Sequence, residues 1–250
     1  MNIQQTRLIT GASSGIGLAL LKHWLAPDAP VIAVSRRATG HPTLHALREQ
    51  GLPLRCINVD ITQEEQLEYL AKNLEEEGIR LHQIINCAGL LHDAEIEMGP
   101  EKRLEDISLK NLQRGFAVNT FAPILLARHL LPRMDKKQTA VFASLSARVG
   151  SISDNHLGGW YSYRASKAAQ NQLLRTLAIE TRRRYPKLCV MALHPGTTDT
   201  PLSSPFQRNV PEGKLFSATR AAQQLATIID SASEQEHGRF IAWDGKPIPW

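Results

Sequence analysis

Arg7-Leu8-Ile9-Thr10-Gly11-Ala12-Ser13-Ser14-Gly15-Ile16-Gly17 is the stretch whose reading decides the fold. Arg7–Thr10 has the apolar character of a short strand, and a helical pattern opens at Gly15 and runs to Leu25. Gly11, Gly15 and Gly17 let the chain turn tightly and let an anion approach the backbone. The first N–H groups of the helix and its dipole then neutralise that anion. A purely structural turn would also use glycine, but a strand before and a helix after is the setting of a phosphate cradle. The spacing is G-x-x-x-G-x-G, not G-x-G-x-x-G.

Outward from this stretch, short apolar runs rich in β-branched residues alternate with amphipathic ones. Strands are predicted at Arg7–Thr10, Val31–Ser35, Leu54–Val59, Gln83–Asn86, Thr139–Ser144, Leu188–Leu193 and Arg239–Ala242. Helices are predicted at Gly15–Leu25, Thr43–Gln50, Gln63–Glu77, Leu109–Pro132, Tyr163–Arg184 and Ala218–Ser231. The alternation is that of βαβ units, and right-handed crossovers give an α/β doubly wound parallel sheet of about seven strands with helices on both faces. No repeat, low-complexity tract or linker divides the chain, so residues 1–250 read as a single domain. Segments 150–160 and 197–215 break the pattern after strand ends and are expected to wall a pocket.

The chain has 250 residues, 42% hydrophobic and 21% charged. That composition excludes disorder, collagen and coiled coil. No apolar run approaches the roughly 20 residues needed to span a bilayer. The N-terminus shows no basic region leading into an apolar one, and Cys56, Cys87 and Cys189 read as small buried hydrophobes; both point to a reducing cytoplasm. Net charge is +5, which suits an anionic partner, yet no nucleic-acid reader motif accompanies it. Arg182-Arg183-Arg184 fits a solvated helix end, where cations favour the dipole. The nine histidines form no H-E-x-x-H set and pair with no C-x-x-C, so no metal is expected.

Tyr161-Ser162-Tyr163-Arg164-Ala165-Ser166-Lys167 opens the predicted fifth helix. Tyr163 and Lys167 stand at i and i+4, on one face, where an ammonium lowers a phenol's pKa toward the range of a general acid. Tyr161 has only Ala165 at that spacing, and an isolated Tyr-Lys pair can equally be an exposed helix pair.

These signals, in this order, resemble the short-chain dehydrogenase/reductase family of Rossmann-type oxidoreductases. Asn86-Cys87-Ala88-Gly89 matches its N-x-A-G. Asp60, followed by Ile61, falls where the family contacts adenine, and Asn119 falls at the helix asparagine tied to a water-linked proton relay. Pro195-Gly196-Thr197-Thr198-Asp199-Thr200 matches P-G-x-x-x-T, with Thr200 placed like the residue that holds the nicotinamide carboxamide. Ser146–Ile152, Gly158–Tyr161 and Pro249-Trp250 are similar to the C-factor-type subgroup.

The resemblance implies a Ser-Tyr-Lys-Asn set acting on a carbonyl or alcohol, and a homodimer or homotetramer through the Leu109–Pro132 and Tyr163–Arg184 helices. Counting back from the tyrosine by the family's usual interval lands on Gly150. Counting from the strand instead favours Ser146, with Ser144 the alternative. Ser13, Ser14, Ile16, Gly196 and Thr198 join the expected cofactor contacts.

At the end of the second strand stand Ser35, Arg36 and Arg37. An acid there would accept from the ribose 2'-hydroxyl of NAD, whereas arginine accommodates the 2'-phosphate of NADP. The expectation is NADP(H), with His92 and His156 beside Leu91, Leu157, Trp160 and Phe206 in the substrate pocket. The expected activity is NADPH-dependent reduction of a ketone or aldehyde. The alternative is an NADP(H)-binding regulator of C-factor type.

Overall fold

The structure is a computed structural model that describes residues 6–250. Met1–Gln5, part of the stretch read as leader-free, lie outside those residues. In chain order the elements are β1 (Thr6–Thr10), α1 (Gly15–Trp24), β2 (Val31–Ser35), α2 (Pro42–Glu49), β3 (Leu54–Asn58), α3 (Glu64–Glu76), β4 (Leu81–Asn86), α4 (Leu109–Phe116), α5 (Ala122–Leu130), β5 (Ala140–Leu145), α6 (Tyr161–Arg184), β6 (Leu188–His194), β7 (Thr197–Thr198), β8 (Leu215–Phe216), α7 (Ala218–Asp230) and β9 (Arg239–Ala242). Seven strands form one parallel sheet in the order β3-β2-β1-β4-β5-β6-β9. The order reverses between β1 and β4, and a crevice opens there beyond the carboxyl ends of the strands.

Both faces of the sheet are covered, so the strands are nearly continuous apolar runs whose side chains alternate between two cores. Leu8, Ile32, Val34, Ile84, Phe142 and Val190 pack with Leu67, Leu70, Leu126 and Leu174 of α3, α5 and α6. Ile9, Val31, Ala33, Ile85, Val141 and Met191 face the other way, onto Leu20, Leu21, Leu44, Leu225 and Ile229 of α1, α2 and α7. Each Leu or Ile buried this way contributes roughly 1.5–3 kcal/mol. At one edge, the outward groups of β9 bond the following chain: Ala242 N–H donates to Lys246 O (2.8 Å), and Phe240 O accepts from Ile248 N–H (2.8 Å). No described helix is long and apolar enough to cross a membrane.

Three expectations change. The single helix Leu109–Pro132 is two α-helices joined by a π turn at Ala117–Phe121. Pro123 offers no N–H to the Asn119 carbonyl four residues back, and Ala122 N–H reaches Ala117 O instead. Next, α6 begins at Tyr161 rather than Tyr163, directly after Trp160 in a left-handed conformation. Finally, segment 197–215, which breaks the alternation in sequence, carries elements of its own: β7 and β8 pair in parallel, with a 3-10 helix at Ser204–Asn209 between them. Two-residue strands are too short to leave a periodicity.

Candidate active site

A cleft of about 770 Å³ lies over the strand ends at the β1/β4 reversal. The turn after β1 forms its floor. Gly11 has φ +67°, and a Cβ there would sit 2.9 Å from Ala88 N; a Cβ on Gly17 would sit 2.3 Å from Gly11 O. Only glycine allows α1 to start this close to the sheet. The Ser14 side chain does not cap α1, which leaves first-turn N–H groups free to meet an anion at the cleft.

Gly11, Ser13, Ser14, Gly15 and Ile16 line the cleft floor. Ser35, Arg36, Arg37, Asp60 and Ile61 line one end, and Ala88, Gly89, Ser146, Tyr163, Lys167, Pro195 and Thr200 line the other walls. Ser35 Oγ is buried with no protein partner, beside two exposed arginines. An orphaned hydroxyl, two guanidiniums and an uncapped helix start fit a phosphorylated dinucleotide. The Asp60 carboxylate is partly engaged, accepting from Thr62 N–H (3.0 Å) and Thr62 Oγ (2.7 Å).

Four expected cofactor residues do not line the cleft. Gly17 is buried under the turn, and Gly196 lies against the Phe216 ring. Thr198 is buried in β7, where its hydroxyl donates to Gly196 O (3.3 Å). Asn86 belongs to a buried chain of hydrogen bonds. Thr10 Oγ1 donates to Asn86 Oδ1 (2.6 Å), and Asn86 Nδ2 donates to Ser144 Oγ (2.8 Å). Gln170 Nε2 donates to the same hydroxyl (2.8 Å), and Lys167 Nζ donates to Gln170 Oε1 (2.8 Å). The chain ties β1, β4 and β5 to the lysine of α6 and leaves Ser144 inside the protein.

Ser146, by contrast, lines the cleft, its hydroxyl donating to Asn171 Oδ1 (2.7 Å). Gly150 leaves no room for a serine, because a Cβ there would lie 2.7 Å from Lys167 Cβ. Lys167 Nζ also donates to Leu145 O (2.9 Å) and sits 6.0 Å from the centre of the Tyr163 ring. Burial dominates both groups. It pushes the Tyr163 phenol above its ordinary value and draws Lys167 down to about 7. The expected lowering of the phenol by the ammonium is therefore not the dominant effect in the folded chain, since desolvation penalises both charged forms. Tyr161 is exposed and lies outside the cleft wall.

Asn119 is fully buried within the π turn. Its Oδ1 accepts from Leu90 N–H (2.8 Å), and its Nδ2 donates to Leu90 O (2.7 Å) and Ser166 Oγ (3.0 Å). A Cβ on Gly89 would meet Asn119 Oδ1 at 3.7 Å and Lys167 Nζ at 3.9 Å, so the asparagine and the lysine both come close to Gly89.

Of the expected pocket residues, Leu91 and His92 line the cleft, and His92 Nε2 lies 3.0 Å from Pro201 O. Trp160 and Phe206, also expected there, do not line the cleft; with His92 they form a ring ladder beside it, with centroids 5.2 and 6.1 Å apart, and Trp160 is edge-on to Tyr163 at 6.2 Å. His156 and Leu157 are corrected: the His156 side chain is turned out beside Asp154, and Leu157 is 92% exposed. His41, Arg114 and Leu202 line the cleft without having been anticipated. The cluster Glu64, Glu68 and His129 lies outside it, and Glu64 Oε1 there already accepts from Arg128 Nη1 (2.6 Å).

Residues 5–211 match the short chain dehydrogenase family. The chain belongs to that family. It is 30% identical over 192 residues to the 1-hydroxy-2-glutathionyl-2-methyl-3-butene dehydrogenase of Rhodococcus sp. strain AD45, covering 77% of this chain and 78% of that protein. It is 28% identical over 148 residues to the C-signal protein of Myxococcus xanthus, covering 59% of this chain and 83% of that one. The NADPH-bound carbonyl reductase from chicken fatty liver superposes with a TM-score of 0.84 at 26% identity, over 98% of this chain and 94% of that one. Like other members of the short-chain dehydrogenase family, the protein is an oxidoreductase.

Proposed function

We propose that the protein is an NADPH-dependent reductase of a ketone or aldehyde, with Ser146, Tyr163 and Lys167 as its catalytic residues and Asn119 completing a water-linked proton relay. The observation that carries this reading is the convergence of Ser146, Tyr163 and Lys167 on the cleft whose far end presents Ser35, Arg36 and Arg37. The cofactor, when bound, supplies the hydride.

Rotation of the Ser146 hydroxyl turns its hydrogen from Asn171 toward the substrate oxygen, where it stabilises developing negative charge. The Tyr163 phenol, raised by burial, is protonated at neutral pH and donates its proton to that oxygen. Lys167, with a pKa of about 7, changes charge at small cost and supports the phenolate that forms. Arg36 and Arg37 would hold a 2'-phosphate, Ser13, Ser14 and the α1 start the pyrophosphate, Asp60 and Ile61 the adenine, and Thr200 the carboxamide. The likeness to an NADPH-bound carbonyl reductase supports the cofactor and the direction. Segment 197–215 walls the substrate end, since Thr200, Pro201 and Leu202 line the cleft. Exposed Leu109 of α4, Phe121 and Ile179 of α6 support a homo-oligomer through these helices.

The test is NADPH oxidation by purified protein against aldehydes, ketones and quinones. Turnover is expected. Silence across the panel with NADPH binding intact would favour the regulator, the reading supported by the likeness to C-signal.

A further inference from the structure

The residues before α6 are Gly158, Gly159 and Trp160, with φ of +63°, +65° and +53°. Left-handed backbone is easy for the two glycines, but it is strained for a tryptophan, whose Cβ crowds the following carbonyl. Trp160 also gives the helix no side-chain cap. The start of α6 is buried, with Ser162 only 1% exposed, so the N–H groups of its first turn need a partner from elsewhere.

That partner is Glu101, on the segment before α4 and 2% exposed. Its Oε2 accepts from Ser162 N–H (3.1 Å), and its Oε1 accepts from the Ser162 hydroxyl. Its backbone carbonyl accepts from Trp160 N–H (2.5 Å). One residue thus secures both the left-handed tryptophan and the first turn of the helix. A carboxylate at this place is favoured by the helix dipole.

The segment on either side of Glu101 is braced. Asp106 Oδ2 accepts from Lys102 N–H (3.0 Å) and Arg103 N–H (3.1 Å), and Asp93 and Met98 exchange two backbone bonds (2.9 and 2.8 Å). On the far side of the helix start, Arg164 Nε donates to Gly158 O (3.1 Å) and Gly159 O (3.0 Å). What this clamp aims is Tyr163, the next residue after Ser162, and the Trp160 ring edge-on to it.

We propose that Glu101 is a positioning residue for the proton donor. It does not line the cleft; it acts by fixing the start of α6, and so the place of the Tyr163 phenol and of the Trp160 ring against it. This rests on the reading of Tyr163 as the acid. Displacing a reacting group by about 1 Å costs on the order of 10²-fold in rate, so a loosened helix start should be read in kcat.

The experiment compares Glu101→Ala and Glu101→Gln in the wild-type and Tyr163→Phe backgrounds, with folding checked by circular dichroism. Glu101→Ala should lower kcat by about tenfold or more while KM and NADPH affinity, measured by titration, stay within about twofold. Glu101→Gln should recover most of the loss, because its amide oxygen accepts from Ser162 N–H and its amide nitrogen donates to the hydroxyl. In Tyr163→Phe, read by single turnover at high enzyme concentration, Glu101→Ala should cost less than about twofold more. If Glu101→Ala does not fold, Glu101→Asp, which withdraws the carboxylate by one methylene, is judged by the same criteria. An equal loss in both backgrounds, an unchanged kcat, or a parallel fall in NADPH affinity overturns the proposal. Normal turnover by Tyr163→Phe alone would instead overturn the assignment of the acid.

Discussion

Ser144 and Ser146 show how two similar residues at one strand end come to differ. Ser144 Oγ accepts from two buried amides, those of Asn86 and Gln170. Ser144→Ala leaves Asn86 short of a partner, so it should cost about 1–3 kcal/mol of stability in denaturant titration. Its kcat should stay near normal. Ser146→Ala should instead remove about 2.7–4 kcal/mol of transition-state stabilisation in kcat/KM, on top of the stability lost where buried Asn171 Oδ1 is left without its donor. The opposite ranking would move the catalytic serine to Ser144. Tyr163→Phe tests the acid itself: removing a positioned proton donor should lower kcat by about 10² to 10⁴ while NADPH titration stays nearly unchanged. Tyr161→Phe, at an exposed site, should be mild.

At the scale of elements, the end of β2 carries the cofactor prediction. Arg36→Ala should remove a charge-assisted contact of roughly 1.5–3 kcal/mol and weaken NADPH more than about tenfold, with little effect on NADH. Adding Ser35→Asp should invert the preference in binding titrations of both nucleotides. An Arg36→Ala that weakens both nucleotides equally would place the 2'-phosphate site elsewhere.

The seven strands of the main sheet were legible in sequence to within two residues, because a strand buried on both faces must be apolar throughout, as Ile84-Ile85 and Val141-Phe142-Ala143 are. The glycine turn and the Tyr163–Lys167 spacing were legible because local geometry dictates them. The start of α6 was not, because its cap comes from Glu101, sixty residues upstream in chain and adjacent only in space. The same holds for His41 and Leu202, which reach the cleft through the fold and carry no local mark. His156 and Leu157 were misread because nothing in the sequence shows which way an exposed loop turns.

Across the whole molecule, pH dependence follows from His194 at the end of β6. Burial, and next the nearby Arg148 charge, draw its pKa down to about 4 from 6.5. Its Nδ1 accepts from Arg148 N–H (3.3 Å), which requires the neutral ring. Between pH 6.5 and 4 the unfolded chain binds a proton that the folded chain does not. Stability contributed by this group is therefore complete above 6.5 and declines through that window as the solution is acidified. Thermal melts across the window should show a falling Tm, and His194→Gln should flatten the fall. An identical slope in the variant would assign the dependence to other groups.

An open sheet has two rims, and each is a template on which a foreign strand could nucleate self-association. The β9 rim is already occupied, because Lys246 and Ile248 use its outward amide and carbonyl and Pro247 beside them has no N–H to pass on. The opposite rim, β3, is only five residues long. It carries the Arg55 charge, paired with Glu77, a device that discourages fibre-like stacking. Removing that charge with Arg55→Val would lengthen the apolar face of the exposed rim, making aggregation during refolding, rather than loss of catalysis, the first symptom.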